Sequence, residues 1–146
     1  IIFGGDGEVE KNKRLAEELD IAGRCEFRGW VTGNEREALF ERAALYCLPS
    51  KNEGLPMSML EAMARGIPAV VTPVGGVPQV IEDGVNGFLV NVDDIETLSK
   101  RLIALLENTG LREKVGVASR ETILRSFSIA RSINEVIEVY RSCLNQ

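Results

Sequence analysis

The stretch NEGLPMSMLEAMARGIP, Asn52 to Pro68, sets two glutamates, Glu53 and Glu61, on either side of seven uncharged residues. Glu53 follows the run YCLPS in a loop that leads to Gly54. Glu61 stands among Met57, Leu60, Met63 and Ala64, a segment with helical spacing of apolar residues. A carboxylate on an apolar helix is costly unless something pairs with it. Pro56 suits the start of that helix. The first N–H groups, at residues such as Met57, Ser58 and Met59, then lack intrahelical partners and carry partial positive charge. A phosphate fits there. Helical side chains lean back toward the N-terminus, so Glu61, one turn in, reaches the same mouth. A carboxylate beside a phosphate is repelled unless a neutral diol stands between them, and a ribose offers one. Glu53, on the other side of the phosphate position, can accept hydrogen bonds from the hydroxyls of a sugar. Ribose, pyrophosphate and sugar in sequence along one helix mouth describe a nucleotide sugar.

The elements that must position these groups alternate between strand and helix. Apolar runs at IIF (1–3), CEFRGW (25–30), LYCLP (45–49), PAVVT (68–72) and GFLVN (87–91) read as strands. Helices are expected from about residue 10 to 20, 35 to 44, 56 to 65, 95 to 107, 110 to 125 and 128 to 143. Asn34 is the expected cap of the second helix, and Asp93 or Asp94 the cap of the fourth. Leu98, Leu102, Leu105 and Leu106 form an apolar stripe on the fourth, read as core. This order predicts an α/β fold, a Rossmann-like parallel sheet with helices on both faces and a helical C-terminal tail. In such sheets ligands bind outside the carboxyl ends of strands, near helix N-termini. Three loops fall there: GGDGE (4–8), PSKNEGLP (49–56) and TPVGGVP (72–78). GGDGE lacks the third glycine of a dinucleotide fingerprint and the Lys-Ser/Thr of a P-loop, and reads as a tight turn. Gly75 and Gly76 either make only a turn or let the backbone approach the donor.

Bulk properties exclude several classes. The 146 residues, 45 % apolar and 27 % charged, suit one soluble domain. A net charge of −5 without a basic run disfavours nucleic acid. No apolar stretch approaches the roughly 20 residues that span a bilayer. Cys25, Cys47 and Cys143 are scattered without metal-ligand spacing, and the first two sit in apolar runs as reduced thiols, which points to a cytoplasmic compartment. There is no histidine, the commonest general base and metal ligand.

PSKNEGLPMSMLEAMARGIPAVVTPVGG resembles the donor-binding half of the retaining glycosyltransferases of GT-B fold, group 1 (family 4). FRGWV (27–31), GVNGFLV (84–90) and FS (127–128) fall where that family has similar blocks, so the resemblance covers nearly the whole chain. It implies that Glu53 contacts the donor sugar and supports the anomeric centre, acting as the catalytic residue of this half. Backbone at Gly54 and Leu55 would approach the sugar, amides of Met57 and Ser58 would hold the distal phosphate, and Glu61 would take the ribose hydroxyls. The loop at Gly29, Trp30 and Val31 would lie against the base. The implied donor is a UDP- or GDP-linked sugar, with no metal and no other cofactor. Residues 1–146 would be the donor domain without its first strand and helix. The N-terminal acceptor domain, and the family's Arg and Lys phosphate contacts, would precede Ile1. The chain alone is then expected to be inactive. Peripheral contact with the inner face of a membrane would come through the acceptor domain, and a role in polysaccharide or glycolipid assembly is the family expectation.

Two positions depart from the family pattern. Pro56 stands where many relatives have Gly, which removes one backbone donor, and Gln79 stands where Glu is frequent. Two other functions compete. A non-catalytic Rossmann-type nucleotide-binding module has the same elements. A dinucleotide-dependent oxidoreductase needs an acidic residue at the end of the second strand, where this chain has Phe27-Arg28-Gly29.

Overall fold

A computed structural model describes residues 1–5 and 7–144; Asp6 of the GGDGE loop lies outside the described residues. The chain forms two compact units, Ile1–Arg42 and a second that begins at Ala43.

In the first unit, β1 (Ile2–Gly4) pairs in parallel with β2 (Glu26–Gly29), and α1 (Val9–Glu18) connects them. Phe3 and Phe27 face each other across the pair and their rings stack at 4.7 Å. A helix α2 (Gly33–Arg42) follows. Asn34 is therefore the second helical residue and not its cap. Gly33, at φ +55°, makes the turn into the helix one residue earlier than the cap preference suggests. On α1 only Ala16 is buried, while Leu15 and Leu19 remain exposed.

The second unit carries a three-stranded parallel sheet, β3 (Tyr46–Leu48), β4 (Ala69–Val71) and β5 (Phe88–Leu89), in the order β3-β4-β5. All three residues of β4 are buried, as a central strand covered on both faces requires. Ala69 and Val71 face a cluster with Met59, Met63, Val77 and Ile123. Val70 faces the opposite cluster with Phe88, Leu105 and Val115. The first cluster draws on α3 (Met57–Ala64), the second on α4 (Ile95–Glu107), and α5 (Thr109–Ser126) contributes to both. A last helix, α6 (Ile129–Leu144), has no buried residue.

The short connections are closed by local chemistry. Asp94 caps α4 by accepting from Thr97 N, and Asn108 caps α5 by accepting from Leu111 N. Asp93 has φ +64° and pairs with Lys51 at 2.9 Å, so the two adjacent aspartates do different work. Leu105 is fully buried, whereas Leu106 is 56 % exposed and leaves the core stripe. Consecutive side chains stand about 100° apart around a helix, and here the second of the pair falls outside the buried arc. Cys47 is exposed as well. Its neighbours Tyr46 and Leu48 pack on the first cluster, and strand alternation turns Cys47 to the other side of the outermost strand of this sheet.

Candidate functional site

The site is built where β3 and β4 end, on neighbouring strands of one sheet. Their loops, 49–56 and 72–76, are tied together before either reaches its helix. Thr72 donates through both its side chain and its backbone: Oγ1 to the Ser50 carbonyl and N to the Leu48 carbonyl. Gly76 N donates to the Gly54 carbonyl at 2.6 Å. What Gly75 approaches is protein backbone. At φ +57°, a Cβ on it would stand 2.0 Å from the Glu53 carbonyl oxygen and 2.5 Å from that of Gly54. The pair exists so that two backbone segments can touch, and what it holds in place is the loop bearing Glu53.

α3 starts directly after this loop. Pro56 is its N-cap at φ −66° and ψ 112°, without a side-chain cap. The amides of Met57 and Ser58 therefore belong to the first turn, where the helix leaves donors without intrahelical acceptors. Met57 and Ser58 are exposed, and the next two residues, Met59 and Leu60, are buried. The helix thus shows its polar end outward and anchors itself with the following turn. Its other end closes on Gly66 at φ +74°. Arg65 Nη1 also donates there, to the Glu61 carbonyl.

Glu53 and Glu61 are both half-buried, and Oε2 of Glu61 is shielded from solvent. A residue that motif reading missed, Tyr46, feels the charge of both. Its ring packs against the first core cluster, and its hydroxyl lies 2.7 Å from Ser58 Oγ. Burial pushes the Tyr46 phenol above its ordinary value. The Ser58 hydrogen bond opposes that shift, and the charges of Glu53, Cys47 and Glu61 add to it. Both carboxylates thus act on one phenol at the mouth of α3. A signal existed in the sequence: a tyrosine on the inward register of a strand needs a partner for its hydroxyl.

Glu53, Gly54, Leu55, Met57, Ser58 and Glu61 come together in the second unit as their spacing suggests. Gly29, Trp30 and Val31 lie in the first unit, at the end of β2. Gly29 has φ +65°, Trp30 is 77 % exposed, and the Gly29 carbonyl accepts from Gly5 N at 2.7 Å. Lys51, beside the site in sequence, is engaged by Asp93. Gln79 lines a separate open cavity of about 490 Å³ between residues 78–86 and the second half of α5.

A buried asparagine stabilises the segment that returns to β5. Asn86 accepts from Glu82 N and donates to the Val80 carbonyl and to Thr122 Oγ1. Its own carbonyl accepts from Ser119 Oγ. GVNGFLV is therefore a fold-holding block in which α5 is stitched to the sheet.

Comparison with known proteins agrees with this architecture. Residues 1–122 match the family model described as glycosyl transferases group 1. The chain is 38 % identical over 133 residues to an uncharacterized glycosyltransferase of Haemophilus influenzae, covering 90 % of this chain and 37 % of that protein. It is 32 % identical over 145 residues to N-acetyl-alpha-D-glucosaminyl L-malate synthase of Bacillus anthracis, covering 99 % of this chain and 38 % of that protein. The chain thus spans well under half the length of these curated relatives. Among solved structures, HepE of Anabaena in complex with UDP superimposes with a TM-score of 0.88 at 24 % identity, over 97 % of this chain and 40 % of that one. The shared fold is that of GT-B glycosyltransferase domains.

Proposed function

Because the chain belongs to the group 1 glycosyl transferases, we propose that it is the donor-binding part of a retaining, hexosyltransferase-like enzyme. The donor is a UDP- or GDP-linked sugar and the acceptor a growing glycan or glycolipid. The observation that carries this reading is the start of α3, whose exposed first turn holds the Tyr46–Ser58 pair, with the charges of Glu53 and Glu61 felt at the same phenol. Amides of Met57 and Ser58 take the distal phosphate, aided by the helix dipole. Glu61 accepts from the ribose hydroxyls. Gly54 and Leu55 line the sugar, and the base lies against Gly29, Trp30 and Val31. Glu53 faces the anomeric carbon, where positive charge develops as the bond to the diphosphate breaks. No metal takes part in this scheme. The acceptor is held by a part of the protein outside these residues, and that part also provides any contact with a membrane surface. Among the described residues, no helix is long and apolar enough to cross a membrane.

The support is of two kinds. The relatives are named for sugar transfer, and the HepE structures hold UDP or UDP-glucose. Glu53 precedes α3 and Glu61 lies one turn inside it, which supports this order of sugar and ribose. The test is a thermal-shift panel of UDP, GDP, ADP and NAD on the full-length protein, followed by donor turnover. UDP or GDP should stabilise it and NAD should not. Stabilisation by NAD alone would overturn the reading. Binding of a sugar nucleotide without transfer to any acceptor would instead identify a non-catalytic nucleotide-binding module.

A further inference from the structure

Tyr46 has no role of its own in the scheme above, yet its hydroxyl lies 2.7 Å from Ser58 Oγ in the first turn of α3. We propose that Tyr46 is a positioning residue for phosphate recognition: its phenol donates to Ser58 Oγ and so turns the serine proton outward, toward the distal phosphate of the donor. The inference rests on the reading that this phosphate lies at Met57 and Ser58.

The direction of the hydrogen bond follows from chemistry. The two oxygens are 2.7 Å apart and either could donate. A phenol is far more acidic than an alkyl hydroxyl and is the better donor, while the serine oxygen is the better acceptor. Burial above all, with the charges of Glu53 and Glu61 added, opposes ionisation of the phenol. A serine in a helix can also spend its proton on the carbonyl four residues back. Gly54, four residues back, precedes α3 and is not part of the helix, and its carbonyl faces Gly76 N. Ser58 is exposed, so a proton left free by this bond is open to a ligand at the first turn. The ring of Tyr46 is fixed by the core cluster of Met59, Leu60 and Met63, which includes residues of the same helix. The phenol and the serine therefore move as one body, and the donor proton is aimed before the ligand arrives. Ser58 would then add a side-chain hydrogen bond to the backbone amides, which offsets the N–H that Pro56 lacks.

The experiment uses the full-length protein and two ligands that differ only in the distal phosphate, UDP and UMP, or GDP and GMP if the parent prefers guanine. Tyr46→Phe keeps the ring and removes the hydroxyl. It should weaken the diphosphate roughly three- to tenfold, the size of one neutral hydrogen bond, and leave the monophosphate unchanged. Ser58→Ala should weaken the diphosphate about tenfold or more, since its bond is to a charged group. Adding Tyr46→Phe to Ser58→Ala should then cost nothing further. If Tyr46→Phe weakens both ligands together, Tyr46 only supports the fold and the proposal fails. It also fails if either single variant leaves the diphosphate unaffected, or if the two losses add in full. A parent that binds the diphosphate no better than the monophosphate would remove the phosphate reading itself, and the inference with it.

Discussion

Gly75→Ala tests how the loop bearing Glu53 is held. The added methyl carries two separate costs. The first is conformational: at φ +57° a residue with a Cβ costs about 1–2 kcal/mol more than glycine. The second is steric. The new carbon would stand 2.0 Å from the Glu53 carbonyl oxygen, where a carbon–oxygen contact needs about 3.3 Å. The loop must therefore retreat by about 1.3 Å (3.3 − 2.0), because the obstacle is backbone and cannot rotate away. Retreat also stretches the 2.6 Å bond from Gly76 N to the Gly54 carbonyl, worth about 1 kcal/mol. Together the change should cost about 2–3 kcal/mol of stability. A shift of that size at the reacting centre should lower kcat about a hundredfold. Gly84→Ala is the control. Gly84 has φ +76° with nothing within 4 Å of its Cβ position, so only the conformational cost remains. Denaturant unfolding and donor turnover of the full-length protein measure both effects. If Gly75→Ala proved no less stable than Gly84→Ala and kept its turnover, the close approach would not be what holds Glu53.

Glu61→Gln should weaken free nucleotide by about 1.5–3 kcal/mol, the loss of a charge-assisted hydrogen bond, and calorimetric titration with UDP or GDP would check it. Glu53→Gln should leave free-nucleotide affinity nearly unchanged and lower kcat, so impaired UDP binding with intact turnover would reverse the assigned order of ribose and sugar. Asn86→Ala removes three side-chain hydrogen bonds from a residue 5 % exposed and should destabilise by about 2–4 kcal/mol in urea unfolding. Gly116→Ala places a Cβ 2.2 Å from the Gly66 carbonyl, forcing α5 from the end of α3. It should cost about 1–3 kcal/mol while the nucleotide dissociation constant stays within about twofold, since Gly66 lies at the opposite end of α3 from the site.

Much of the molecule was legible before any coordinates. α4 spans Ile95–Glu107 as its apolar spacing and aspartate cap required, because a helix of that length writes its period and its cap into contiguous residues. Glu53 and Glu61 were recognisable for the same reason: one proline and one short helix fix their relation locally. Asn34 and Leu106 depart from expectation where a local preference competes with a fact of packing, while Cys47 is a free thiol as expected, although exposed. A cap preference yielded to the turn at Gly33, and apolar neighbours did not decide which side of β3 or α4 a residue would occupy. What only the tertiary structure decided are the pairings across distant segments: Tyr46 with Ser58, Thr72 with Ser50, Lys51 with Asp93, and Gly75 pressed on Glu53. Periodicity carries no information about them, because each depends on how β3 and β4 are registered and on the space left between their loops. The sequence by itself determined that two acids stand on either side of the start of one short helix. The sheet that pairs Leu48 with Val71 determined that two loops would meet there, and so which way the helix mouth and its serine face.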